Sequence, residues 1–406
     1  MANCKAFFGL DDNYFEERSC INTASEIASQ PRLWNELGRI LLAKKKDIAD
    51  FMKGLGDVAG ALTGGLTEGF GKARIILTGA GSSAFIGEAL ASFVAKSSGV
   101  KCEAIHTTDI VSAPETVLFP EIPSLLVSFA RSGNSPESTG AVEYARKAVK
   151  NLFEAAIVCD NTSKLHNITA EGKKNLILVM PEGSNDKGFA MTSSVTCMLL
   201  AGFALLNYEK IDEIAKDISQ LSENISNKSL YLSEAAKKCA SLPFDRAVYL
   251  GSGAFKGLVH EGSLKMMELS NGAVNASYDS ATGFRHGPKT VIKDNTLSLH
   301  FISSDPFTAK YDIDLLKELF NEKNKNTVAA LCGYDIKGIE ADSVIALSSG
   351  GYGFAADLCV GISGLVFFQM LAMHKSMALG ITTDNPSPGG QVNRVVKGVT
   401  VYPYEK

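Results

Sequence analysis

Glu261, Lys265 and Glu268 follow one another at spacings of four and three residues in KGLVHEGSLKMMEL, and Arg285, His286 and Lys289 come soon after in GFRHGPK. On a helix, residues so spaced share one face. Two carboxylates flanking an ammonium, with an imidazole further along the chain, are able to move protons on and off carbon and oxygen. The same spacing also describes a solvated ion-pair ladder that contributes only a few tenths of a kcal/mol. The setting favours chemistry, because the helix follows a strand at 247–251, and open α/β sheets place their ligands at the carboxyl ends of strands.

A second stretch, ARSGNSPEST at 130–139, reads as a binding loop between a strand and a helix. Ser135 suits the N-cap, Pro136 the first helical position, and Gly133 permits a tight turn. Free N–H groups, the helix dipole and the hydroxyls of Ser132, Ser135 and Thr139 would converge there on one anion. A plain capped helix is the alternative reading of the same residues. Ahead of it, GAGSSA at 79–84 satisfies a dinucleotide-binding pattern. That pattern also needs an acid closing the second strand; Asp109 comes too late, and the hydroxyls of Ser82 and Ser83 suit a monophosphate or a sugar better.

The elements that must position these residues alternate regularly. Residues 23–72 read as helices, with Thr23 and Glu26 forming a capping box and Pro31 opening a second helix. A glycine-rich segment, 54–71, leads into a strand at 74–78. Strands and helices then alternate through KCEAIH, SLLVSFA, EAAIVCD and NLILVM, and the strands are continuous apolar runs, the pattern of a parallel sheet covered on both faces. After helices at 188–208 and 211–240 the pattern restarts: AVYLGSGA matches ARIILTGAG, and TVAALCG matches EAAIVCD. The chain therefore reads as α/β, with two copies of one five-stranded doubly wound unit. The second copy has Ser303-Ser304-Asp305-Pro306 where the first has its glycine-serine loop, so an acid stands where the anion would sit. One phosphate site per chain is expected, in the first half.

Composition narrows the class. The chain has 406 residues, 45% hydrophobic, with a formal net charge of −4, which suits two soluble domains and lacks the basic excess of a nucleic-acid binder. The N-terminus turns acidic where a secretory leader needs basic and apolar residues. The apolar run 354–379 contains Asp357, Gln369, His374 and Lys375 and reads as a buried amphipathic helix, not a membrane span. Eight cysteines are scattered without metal-ligand spacing, as expected of reduced thiols in a cytoplasmic protein. No metal or cofactor is called for. His106, His166, His300 and His374 read as structural or surface residues, and His260 as a packing residue. Arg285 and Lys289 read as charge-steering residues or as surface.

Taken together, the serine-rich loop, EGxxKxxE and the following HGP resemble the sugar isomerase (SIS) superfamily over residues 40–406. FARSGNSPEST, NDKGFAMTSS and GFRHGPK resemble its tagatose-6-phosphate ketose/aldose isomerases, which act as galactosamine-6-phosphate deaminases; the isomerase half of glucosamine-6-phosphate synthase is more distant. The resemblance implies two tandem flavodoxin-like doubly wound parallel-sheet SIS domains with N-terminal helices: a helical segment 1–70, a first domain 71–210, a bridging helix 211–245, a second domain 246–380 and a tail 381–406 over the active site. It implies substrate binding by Ser82, Ser83, Arg131, Ser132, Asn134 and Ser135. Glu268 would be the base for proton transfer between C1 and C2, Glu261 and Lys265 its neighbours, and Lys397 a sugar-contacting lysine. His286 would open the sugar ring, reaching across from a partner subunit in a homodimer or higher homo-oligomer. The synthase's nucleophilic cysteine has no counterpart, since Ala2 occupies its position. The activity so implied is an isomerising deamination, galactosamine 6-phosphate to tagatose 6-phosphate and ammonia. A plain aldose–ketose isomerase, a glucosamine-6-phosphate deaminase, a non-catalytic phosphosugar sensor and a dinucleotide-dependent oxidoreductase are the alternatives.

Overall fold

Every residue of Ser124–Ala130, SLLVSFA, is buried, and so is every residue of Thr296–Ile302, TLSLHFI. Strands apolar on both faces must be covered on both faces, and these two lie inside two parallel sheets. The computed structural model describes residues 4–59, 73–322, 326–333, 338–396 and 398–405. The chain divides into two compact units. One comprises Met1–Arg32, Asp186–Thr192 and Ser219–Gln391; the other comprises Leu33–Asn185, Ser193–Ile218 and Val392–Lys406.

Two helices of five residues, Cys4–Phe8 and Asp12–Glu16, precede the long helix α1, Ile21–Ala59. The first sheet is built from β1 (Arg74–Thr78), β2 (Glu103–Ala104), β3 (Ser124–Ala130), β4 (Leu152–Val158) and β5 (Asn175–Val179). Helices α2 (Ser82–Ser98) and α3 (Pro136–Ala148) belong to its crossovers, and α4 (Ser193–Leu206) and α5 (Ile211–Ala240) follow. The second sheet contains β6 (Arg246–Gly251), β7 (Asn275–Asp279), β8 (Thr296–Ile302), β9 (Thr327–Cys332) and β10 (Ser343–Ala346), with helices α6 (Lys256–Leu269), α7 (Pro306–Asn321) and α8 (Ala356–Ala378). Strand orders are β2-β1-β3-β4-β5 and β7-β6-β8-β9-β10, and every pairing is parallel. The repeat read from the sequence is therefore a repeat of topology. In each sheet the order reverses at the first strand of the copy, so the loops after β1 and β3, and after β6 and β8, flank a crevice of the kind that binds ligands.

Three expectations need correction. Helix α1 does not restart at Pro31 but runs through it. Proline leaves the carbonyl four residues back without its helical donor, and here the Gln30 side chain supplies one, Nε2 donating to the Ile27 carbonyl at 3.2 Å. Nor do Thr23 and Glu26 form a capping box. The Asp384 carboxylate caps the helix from far along the chain, accepting the N–H groups of Asn22 and Thr23 at 2.9 and 2.8 Å and the Thr23 hydroxyl at 2.7 Å. Glu26 instead accepts the N–H groups of Lys187 and Gly188, holding the segment after β5. Finally, α8 is not amphipathic, since every residue from 358 to 376 is buried. Its polar groups are satisfied within its own unit: Gln369 bonds Gln30 and the Thr192 carbonyl, and Lys375 donates to the Leu242 carbonyl. The segment 60–72, which includes most of the glycine-rich stretch, lies outside the described residues.

Glu26 has a pH signature. Burial, with the Asp186 carboxylate nearby, pushes its carboxyl up to about 8 from an ordinary 4.5, against the pull of the two N–H donors. A carboxyl whose folded pKa is raised contributes stability that is complete below its unfolded pKa and declines as pH rises toward the folded one. Glu26→Gln keeps an oxygen acceptor and abolishes the titration. Urea unfolding from pH 4.5 to 8.5 is expected to show wild-type stability falling across this window by up to a few kcal/mol more than that of the variant.

Candidate active site

Helix α6 starts one turn after the carboxyl end of β6, through Gly253–Phe255. Its inner face is fixed by close packing: a side chain on Gly262 would come within 2.6 Å of the Phe368 ring on α8. On that face Lys265 has no solvent exposure, and its Nζ lies 3.3 Å from Glu261 Oε1 and donates to Glu268 Oε2. The Glu261 side chain is 2% exposed and that of Glu268 24%. The ladder is thus not a solvated one. Two members are locked inside, and Glu268 is the carboxylate that a solute can reach.

The turn entering α6 is held by a network that the sequence reading missed. Ser252 Oγ donates to Asp312, accepts the Ala281 N–H at 3.2 Å, and the Asp312 carboxylate accepts the Ser303 N–H at 3.0 Å. Asp312 therefore ties together the loops that follow β6, β7 and β8. The signal was present: Asp312, Leu315, Leu316 and Leu319 share the buried face of α7, and a carboxylate on such a face needs donors.

After β7, Ser280 caps a short helix, Ala281–Phe284, and His286 follows it, exposed. The cations beside it are committed to α7: Arg285 pairs with Glu318 at 2.8 Å, and Lys289 pairs with Glu318 and Glu322. They are braces for this loop. His260 stacks on Tyr278 with ring centroids 3.7 Å apart, a packing residue as read.

In the unit carrying the first sheet, two loops follow β1 and β3. A side chain on Gly79 would lie 2.5 Å from the backbone of Ser83, so only glycine permits this turn, and its carbonyl accepts the N–H and hydroxyl of Thr107. Ser82 and Ser83 are buried in the first turn of α2. Nearby, at the end of β2, His106 and Glu88 form a pair at 3.0 Å that raises the His106 pKa, a partnership not read from the sequence. Along the second loop, Gly133 has φ +60°, and a side chain there would strike Ser163. Asn134 works as a strut, its amide donating to the Ser132 carbonyl and accepting the Lys164 N–H. The Thr139 hydroxyl is taken up by its own helix, donating to the Pro136 carbonyl at 3.1 Å. Arg131 is buried and donates to the Arg394 carbonyl at 2.8 Å. Lys397 lies outside the described residues.

The two copies differ where the helix after their third strand begins. Ser135 occupies the N-cap of α3 but makes no side-chain capping bond. At the N-terminus of α7, Asp305 Oδ1 accepts the N–H groups of Phe307 and Thr308 at 3.1 and 2.9 Å and the Thr308 hydroxyl at 3.1 Å. A built-in carboxylate satisfies the orphan donors and the dipole of α7, whereas the first turn of α3 has no such side-chain cap. Among the described residues no group of three or more His, Cys, Asp or Glu is placed to hold a metal ion.

Comparison with known proteins gives the following. The SIS domain model matches residues 70–208. The D-galactosamine-6-phosphate deaminase AgaS of Shewanella sp. strain ANA-3 is 37% identical over 387 residues, covering 95% of this chain and 92% of that one. A crystal structure from Clostridium novyi NT, provisionally assigned as a tagatose-6-phosphate ketose/aldose isomerase, superposes with a TM-score of 0.91 at 40% identity, covering 98% of each chain. The tagatose-6-phosphate ketose/aldose isomerase of Escherichia coli gives 0.84 at 34% identity, covering 95% of this chain and 97% of that one.

Removing the ammonium while leaving its buried partner is expected to be costly. Lys265→Met should destabilise the protein by about 3–5 kcal/mol, because Glu261 would keep its burial and lose its counter-charge. Urea unfolding of the two proteins measures this, and the double variant Lys265→Met, Glu261→Gln should recover part of the loss.

Proposed function

Since the chain belongs to the family of the AgaS-type galactosamine-6-phosphate deaminases of the SIS proteins, we propose that it is an isomerising deaminase of an aminosugar phosphate, galactosamine 6-phosphate being the substrate. The observation that carries this reading is the carboxylate–ammonium–carboxylate array of α6, two members buried and one partly exposed. Rigid positioning of a reachable carboxylate is what general-base catalysis requires.

In this mechanism the phosphate binds at the N-terminus of α3, where backbone N–H groups and the hydroxyls of Ser132 and Ser135 receive it, with Ser82 and Ser83 on the sugar side. Phosphate binding, remote from the reacting carbons, positions them. His286 moves a proton to open the ring. Its exposure supports a role at the site of a second subunit, in a homo-oligomer. Glu268 then removes the proton from C2 of the open-chain aldehyde, giving an enolamine, and returns it to C1. O1 gains a proton as the amine nitrogen gives one up, so C1 becomes a primary alcohol and C2 an imine; water adds to the imine and ammonia leaves, giving tagatose 6-phosphate. Lys265 holds the Glu268 carboxylate in place throughout.

A plain aldose–ketose isomerase would use the same Glu268 on a substrate with a hydroxyl at C2, and the names of the two solved relatives favour keeping this reading in the test. Ammonia release from galactosamine 6-phosphate, glucosamine 6-phosphate and their N-acetyl forms separates the readings. Wild type is expected to release ammonia from galactosamine 6-phosphate, and Glu268→Gln to lower kcat by about 10²–10⁴-fold. Ketose formation from aldose phosphates with no ammonia from any amine would assign the isomerase instead.

A further inference from the structure

The Arg131 side chain stands at the start of the serine-rich loop, yet it is 7% exposed and its Nη2 donates to a backbone carbonyl of the chain's own C-terminal segment, that of Arg394. Arg394 in turn donates to Asn185 Oδ1 at 3.0 Å. From there the segment follows α3. Val401 sits against Gly140, where an added side chain would come within 2.9 Å of it, and Val111 closes the same seat. The Tyr144 hydroxyl donates to the Tyr402 carbonyl, the Tyr144 and Tyr404 rings are 5.1 Å apart, and Lys147 Nζ donates to the Tyr404 carbonyl at 3.2 Å.

Gly140, Tyr144 and Lys147 are one stripe of α3, at spacings of four and three residues. Successive contacts fall further along the helix as the segment advances, so its described residues, 394–396 and 398–404, run parallel to α3 from its loop end to its last turn. Gly140 marks this seat. It lies inside the helix without a positive φ, where glycine costs about 1 kcal/mol relative to alanine. A seat for Val401 is the physical reason for it.

We infer that Arg131 is a positioning residue and not a phosphate ligand: it fastens the strap formed by 394–396 and 398–404 to the first residues of the loop, and the strap holds α3 in place. This rests on the reading that the N-terminus of α3 receives the substrate phosphate. With the strap detached, α3 loses its outer support and phosphosugar binding weakens, while proton transfer at Glu268 is unchanged.

The test is a double-mutant cycle in the full-length protein. Val401→Asp with Tyr144→Phe releases the strap, and faster amide hydrogen exchange over 394–404 confirms it. In the wild-type background Arg131→Ala should raise the KM for galactosamine 6-phosphate about 10-fold with kcat within about 2-fold, and in the strap-released background it should add less than about 2-fold. An equal Arg131→Ala effect in both backgrounds would mean direct contact with phosphate and overturn the inference. So would a released strap with unchanged KM. Calorimetric titration with inorganic phosphate repeats the cycle without turnover, so a protein that shows the coupling but releases no ammonia overturns the assigned reaction and upholds the strap. If Arg131→Ala does not fold, Tyr144→Phe carries the test alone: faster exchange over 394–404 with unchanged phosphate affinity refutes it.

Discussion

A lysine ammonium with no access to water is the constraint on which the second sheet's site depends. Desolvating such a charge costs several kcal/mol unless partners stand within reach, and Lys265 has one on each side along the same helix face. That arrangement exists only while α6 keeps its helical geometry and its seat. The seat is built from three directions: the Phe368 ring against Gly262, the Tyr278 ring against His260, and the Ser252–Asp312 network at the entering turn. Glu268, near the helix end, inherits the rigidity of all three. A carboxylate held this way loses little freedom when it meets a substrate, which is how a short-range proton transfer is made reproducible.

The duplication explains why one topology yields two different kinds of loop. Both sheets offer a helix N-terminus at the reversal of strand order, and each must satisfy its orphan N–H groups. The second copy answers with Asp305, which is covalently present. The first copy answers with a serine that leaves its helix without a side-chain cap. One position, a hydroxyl in the first copy and an acid in the second, thereby makes the two helix termini different.

Much of this was legible in the sequence, and the reasons are specific. Doubly covered strands such as SLLVSFA announce themselves as unbroken apolar runs, so both sheets and their repetition could be read directly. The triad on α6 was visible as spacing, but burial was not: nothing local distinguishes Lys265 from Lys44, which stays half exposed beside Asp47. Arg131 and Asn134 were read toward the substrate from the resemblance of their loop to that of the sugar isomerases. Their partners, a carbonyl at 394 and an amide at 164, lie too far along the chain for spacing rules to reach. Pro31 misled for a similar reason. Proline inside a helix is usually a boundary, and only the Gln30 side chain, filling the gap it leaves, makes it tolerable here.

The bond from the Thr23 N–H to Asp384, which caps α1, spans 361 residues of sequence. During synthesis the start of α1 emerges long before its cap, and the strap over α3 arrives later still. Neither unit is contiguous in the chain. The central strands can pair as they appear, but the contacts that finish the units span 361 residues at Asp384 and 263 at Arg394, which makes them slow to close.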